Sequence, residues 1–99
     1  MSEIVTLCGS TKFKALFEEY NNKLTLEGKI VLLPGCYMHA DNRIITEEQK
    51  IKLDELHKKK ILMSNYIYVL NQDNYIGEST KSEIDFANLH KIPVFYYQN

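Results

Sequence analysis

The chain reads as a small α/β domain, a flavodoxin-like or Rossmann-like three-layer sandwich. The expected sheet is parallel, with about four strands in the order 2-1-3-4 and three main helices. Three observations carry this expectation. Short, nearly continuous apolar runs alternate with longer stretches of helical spacing, the pattern of a parallel sheet covered on both faces. The runs are closed by turn-forming residues such as Gly9-Ser10 and Pro34-Gly35. The sequence has 99 residues, 44% hydrophobic and 25% charged, which suits one domain over 1–99 and leaves no space for a second.

The elements follow in order. Ile4 to Cys8 is an apolar run ended by Gly9-Ser10, hence a buried strand and a turn. From Lys12 to Leu26, residues Phe13, Leu16, Phe17, Tyr20 and Leu24 recur at three- and four-residue steps, which predicts an amphipathic helix. Gly28 sits where a helix C-cap belongs. Lys29 to Leu33 is a second strand. The polar, irregular segment from Cys36 to about Thr46 is the longest loop. Thr46-Glu-Glu-Gln49 matches a capping box, with a helix running to about Leu62. Tyr66 to Leu70 is a third strand, and Asn71 to Glu78 a turn-rich loop. Ser79 or Thr80 opens a third helix reaching His90. Pro93 to Tyr97 is a fourth strand, read as core with an oligomer contact. Crossovers of this kind are right-handed.

Charge and composition exclude several functions. Twelve Lys and Arg stand against thirteen Asp and Glu, for a formal net charge of -1. That balance argues against a nucleic acid polymer as partner, since such proteins carry a basic stripe. The run His57-Lys58-Lys59-Lys60 is the only basic cluster, and reads as a solvated helix face or a phosphate contact. No apolar stretch approaches the roughly 20 residues that span a bilayer, so no membrane partner is expected. The opening Met-Ser-Glu-Ile-Val lacks a basic n-region, which points to the cytoplasm. Cys8 and Cys36 have neither metal-ligand nor redox spacing, and the histidines are scattered at 39, 57 and 90. No zinc pattern is visible along the chain, and no metal or organic cofactor is implied.

In folds of this class ligands bind beyond the carboxyl ends of the strands, where strand order reverses. That rule selects the loops at Gly9–Thr11, Pro34–Thr46 and Asn71–Thr80. The first, Cys8-Gly9-Ser10-Thr11, lets a ligand approach the backbone and offers helix N–H groups to an anion. It is equally a tight turn with Ser10 or Thr11 as N-cap. It lacks both the dinucleotide and the Walker pattern, which disfavours NAD and ATP. The last, Gly77-Glu-Ser-Thr-Lys-Ser-Glu83, leads into the third helix. Thr80-Lys-Ser-Glu83 fits a capping box. Glu83 also borders the apolar positions Ile84 and Ala87, where a partly desolvated carboxylate suits a nucleophile. In the long loop, Tyr37 and Met38 offer an aromatic face and a thioether for stacking, and Arg43, the only arginine, suits bidentate contact with an anion. His39 and Asp41 share that loop.

Val5-Thr-Leu-Cys-Gly-Ser10, an amphipathic helix, and Gly77-Glu-Ser-Thr-Lys-Ser-Glu83-Ile-Asp-Phe-Ala87 together resemble the nucleoside 2-deoxyribosyltransferase superfamily. That superfamily includes the 2'-deoxynucleoside 5'-monophosphate N-hydrolases. The resemblance implies cleavage of an N-glycosidic bond, or 2-deoxyribosyl transfer, through Glu83 as nucleophile. It implies a small nucleoside or nucleotide substrate. Cys8, Gly9 and Ser10 would line the sugar or phosphate pocket, with Gly77, Ser79 and Thr80 around a 5'-hydroxyl or 5'-phosphate. The family's acidic residue before the third strand falls near His57 or Lys58, and the acid one helical turn earlier is Asp54. Asp54 and His57 are i, i+3 neighbours, so either is a candidate for proton transfer. The family carries a fifth strand beyond the four read here, so a homodimer or larger homo-oligomer that closes the pocket is expected. A nucleotide-binding module without catalysis, a sensor or sequestering protein on the same fold, is the alternative. Base release, or binding without it, separates the two.

Overall fold

The computed structural model describes residues 2–37 and 41–98. Its elements are β1 (Ile4–Cys8), α1 (Lys14–Leu26), β2 (Ile30–Leu32), α2 (Glu47–Leu62), β3 (Tyr66–Val69), α3 (Glu78–Leu89) and β4 (Val94–Tyr96). The four strands form one parallel sheet in the order β2-β1-β3-β4, as the alternating pattern predicts. Val5 lies opposite Val31 and Tyr66, and Tyr68 opposite Phe95. No helix among the described residues is long and apolar enough to cross a membrane.

The two-residue period of a strand divides the core into two layers. Val5 and Leu7 of β1 pack with Leu16, Phe17 and Leu24 of α1. Cys8, one step out of phase, packs with Ile67 and Val69 of β3, Ile61 of α2, and Ile84 and Ala87 of α3. Each fully buried side chain of this size contributes about 1.5–3 kcal/mol. Thr6 is buried on the Cys8 side, and its hydroxyl meets Ser64 and donates to the Lys60 carbonyl at 3.2 Å. Lys60 in turn donates to the Leu33 carbonyl at 2.6 Å. The C-terminal turn of α2 is thus tied to β1 and to the end of β2 largely by polar bonds.

Helix ends follow the local chemistry, with two corrections. Thr46 and Gln49 form the reciprocal capping box, each bond 3.0 Å. Gly28, at φ +92°, ends α1 with its N–H on the Thr25 carbonyl and the Lys29 N–H on Leu24, a Schellman pair. Ser10 caps a short 3-10 turn, Thr11–Phe13, so the α-helix proper starts at Lys14 rather than Lys12. The third helix opens at Glu78 with Gly77 as N-cap, not at Ser79 or Thr80. Thr80 and Glu83 are therefore interior, buried helix residues, and the capping box read there does not form. A further correction concerns Val94 to Tyr97. β4 is an edge strand: Val94 and the following Tyr97 are partly buried and pack against the core, while Phe95 and Tyr96 are exposed, so only half of this run joins the core.

Gly9 closes β1 at φ +149°, a conformation that side-chain-bearing residues avoid. A Cβ there would stand 3.0 Å from the Leu70 carbonyl oxygen and 3.4 Å from the Phe17 ring. Gly9→Ala is expected to cost about 1–3 kcal/mol in urea unfolding. Gly35→Ala, where an added Cβ meets nothing within 4 Å, should stay within ~0.5 kcal/mol of the parent. Equal effects at the two positions would contradict the packing described here.

Candidate functional site

Three ionisable side chains converge on the α2–α3 face of the sheet. Alternation along β1 turns Cys8 toward that face. On α2 the buried residues are His57 and Ile61, four apart, so histidine occupies a core position. On α3 the buried residues are Thr80, Glu83, Ile84 and Ala87, one helical stripe with a carboxylate in it. His57 and Glu83 are 7% and 8% exposed, and Cys8 is fully buried. His57 is therefore not part of a solvated helix face, which corrects the reading of the basic run. Lys60 of the same run is held by Leu33, and Lys59 is exposed.

Cys8 Sγ lies 3.5 Å from His57 Nε2, and Nε2 lies 3.8 Å from Glu83 Oε1. Burial pushes the Glu83 carboxyl up to about 7, and Asp54 nearby adds to this. A hydrogen bond from the Cys8 thiol pulls in the opposite direction. Burial pushes His57 down to about 4, assisted by the Lys60 charge, while the Leu7 backbone opposes it. Among the described residues its Nδ1 has no hydrogen-bond partner. Burial, and then the Glu83 charge, raises the Cys8 thiol well above its usual value. The 3.8 Å contact is consequently not an ion pair at neutral pH, because the imidazole is uncharged there.

Above this cluster opens a cleft of about 1080 Å³ at the carboxyl ends of the strands. Gly9, Ser10, Arg43, Asp54, His57, Gly77, Ser79, Thr80 and Glu83 all contribute to its wall. Cys8 lies beneath the wall, in contact with His57. Tyr37 packs edge-on against Phe17, ring centroids 5.6 Å apart, outside the residues that line the cleft. Met38 and His39 lie outside the described residues. Asp41 pairs with Lys14 at 3.1 Å on the surface.

Several wall residues were not singled out by the sequence reading. Tyr75 lines the cleft with Lys12 Nζ 3.7 Å from its ring centroid. Lys50 lines it as well, beside Lys59 and Lys60 of the basic run already noted in the sequence. The loop bearing Tyr75 is pinned by Asn71, whose amide exchanges two 2.8 Å hydrogen bonds with the Gln98 backbone. Only the loop's place after β3 pointed to Tyr75, since a lone aromatic has no spacing to recognise.

Compared with protein-family models, with curated proteins and with solved structures, the chain matches none.

The two buried titrations act in opposite senses on stability. Glu83 holds its proton more tightly folded, at about 7, than at the ordinary 4.5. Its contribution is complete below 4.5 and is lost as pH rises through about 7. His57 is held neutral, with a folded value near 4 against the ordinary 6.5. Its contribution is complete above 6.5 and is lost as pH falls through about 4. The slopes offset each other in the shared window. Relative to the parent, Glu83→Gln should gain stability with rising pH between about 4.5 and 7, because the Glu83 term no longer falls. His57→Gln should lose it with rising pH between about 4 and 6.5. Each difference is about 3 kcal/mol across its window, read by urea unfolding at a series of pH values. Parallel profiles for the three proteins would refute the burial assigned to this pair.

Proposed function

We propose that the cleft cleaves or transfers at the N-glycosidic bond of a deoxynucleoside or deoxynucleotide, with Glu83 as nucleophile. The observation that carries this reading is the presentation of a buried carboxylate by α3 at the wall of a large cleft beyond the strand ends. A carboxyl group near 7 is ionised in a substantial fraction at neutral pH and is weakly solvated, which suits attack on a carbon centre.

In the proposed step a Glu83 oxygen forms a bond to C1' as the C1'–N bond breaks. The bonding pair leaves with the base, which takes up a proton. The glycosyl ester is then released by water, or passed to a second base. Asp54 handles the proton in this reading, supported by its position on the same cleft and its electrostatic effect on Glu83. His57, neutral and 3.8 Å from Glu83, is a positioning residue. Among the described residues of the wall, Lys12, Arg43, Lys50, Lys59 and Lys60 outnumber Asp54, Glu78 and Glu83. With the opening turn of α3 beside them, these cations favour an anionic substrate such as a nucleoside monophosphate. Cys8 and Cys36 are free thiols, compatible with the reducing cytoplasm. A homodimer or larger assembly belongs to the same proposal.

Incubation with deoxynucleosides and their 5'-monophosphates, followed by chromatography, should release free base. Glu83→Gln should reduce turnover by at least ~10³-fold while leaving binding measurable. Asp54→Asn should reduce it by roughly 10²-fold. Undiminished base release by Glu83→Gln would remove Glu83 from the chemistry. Tight nucleotide binding with no release by the parent would favour the binding module.

A further inference from the structure

We propose that Cys8, His57 and Glu83 form a binding site for a divalent transition-metal ion of the zinc type. The three donor atoms, Sγ, Nε2 and a carboxylate oxygen, all lie within 4.8 Å of one another. Two of the edges, Cys8–His57 and His57–Glu83, measure 3.5 and 3.8 Å. A tetrahedral zinc ion, with bonds of about 2.0–2.3 Å, needs edges of roughly 3.3–3.6 Å between its ligands. The ion therefore fits between the side chains after a small inward movement.

Chemistry selects the metal. A thiolate and an imidazole disfavour magnesium and calcium, which take oxygen ligands, and favour zinc or cobalt. The donors are carried by three packed elements, a strand and two helices, so the cage is held by the fold rather than by a loop. His57 and Glu83 reach the cleft wall, which supplies the route of entry and a fourth position for water. Three protein ligands with an open fourth vertex are the pattern of accessible zinc sites. On binding, the Cys8 thiol, and the Glu83 carboxyl where it is protonated, release their protons to solvent and give lone pairs to the ion, with no change of oxidation state.

This site stands apart from the glycosidic reading and is tested by metal alone. The two readings compete for Glu83, because a carboxylate that ligates the ion is a weaker nucleophile. The full chain, stripped with chelator and exchanged into metal-free buffer, is titrated with cobalt(II) chloride and then with zinc chloride. The expected result is saturation at one ion per chain, with an intense thiolate-to-cobalt band and tetrahedral ligand-field bands, both removed by zinc. Cys36→Ser should retain the spectrum. Cys8→Ala should lose the thiolate band, and Glu83→Gln, nearly isosteric, should weaken cobalt binding at least ~10-fold while far-ultraviolet circular dichroism stays native. Absence of the band in the parent would overturn the proposal. So would a band that survives in Cys8→Ala and disappears in Cys36→Ser, or unchanged affinity in folded Glu83→Gln.

Discussion

The desolvation of His57 and Glu83 against Cys8 is the constraint around which the rest is arranged. Two helices are attached to the sheet partly through these positions, where a simpler design would place leucine. A buried charge is costly unless paired, so the groups respond by holding His57 neutral and by raising Glu83 toward neutrality. What keeps them buried is the packing beside them. Ile61, Ile67, Val69, Ile84 and Ala87 form a continuous apolar layer with Cys8. The polar ties of Thr6, Ser64 and Lys60 then hold the end of α2 in place.

Those ties also link the cluster to the cleft. Lys60 contributes to the cleft wall, bonds the Leu33 carbonyl, and depresses the His57 proton affinity. One lysine thus connects the end of β2, the α2 helix and the ionisable centre. On the opposite wall, Gly9 permits close approach of the first loop to Leu70, and Asn71 anchors the loop after β3 to Gln98. The first loop and the loop after β3 are thus each anchored at one side of the cleft. Its shape therefore follows from the parallel strand order, which sends all of these loops to one end.

Much of the fold is legible in the chain because its signals are local. Ile4 to Cys8 ends at a glycine, Thr46 to Gln49 is a complete capping box, and Gly28 ends a helix by its φ. These features follow from near neighbours in sequence. The strand order and the choice of loops came from general rules on parallel sheets. The site was legible only in part. Glu83 drew attention through its apolar neighbours, but the true start of α3 was hidden, since Gly77 and Thr80 are both plausible caps. His57 was obscured by three following lysines, which mimic a solvated face. The proximity of Cys8, His57 and Glu83 has no spacing signature at all. The residues are 49 and 26 positions apart, and only the assembled sheet and helices join them.

Cys8, His57 and Glu83 share one desolvated environment beneath the cleft. The most direct measurement is a nuclear magnetic resonance titration of the metal-free protein, following the Glu83 side-chain carboxyl carbon and the His57 ring. The account predicts a Glu83 midpoint near 7 and a His57 midpoint near 4. Midpoints at the ordinary values, 4.5 for Glu83 and 6.5 for His57, would contradict it.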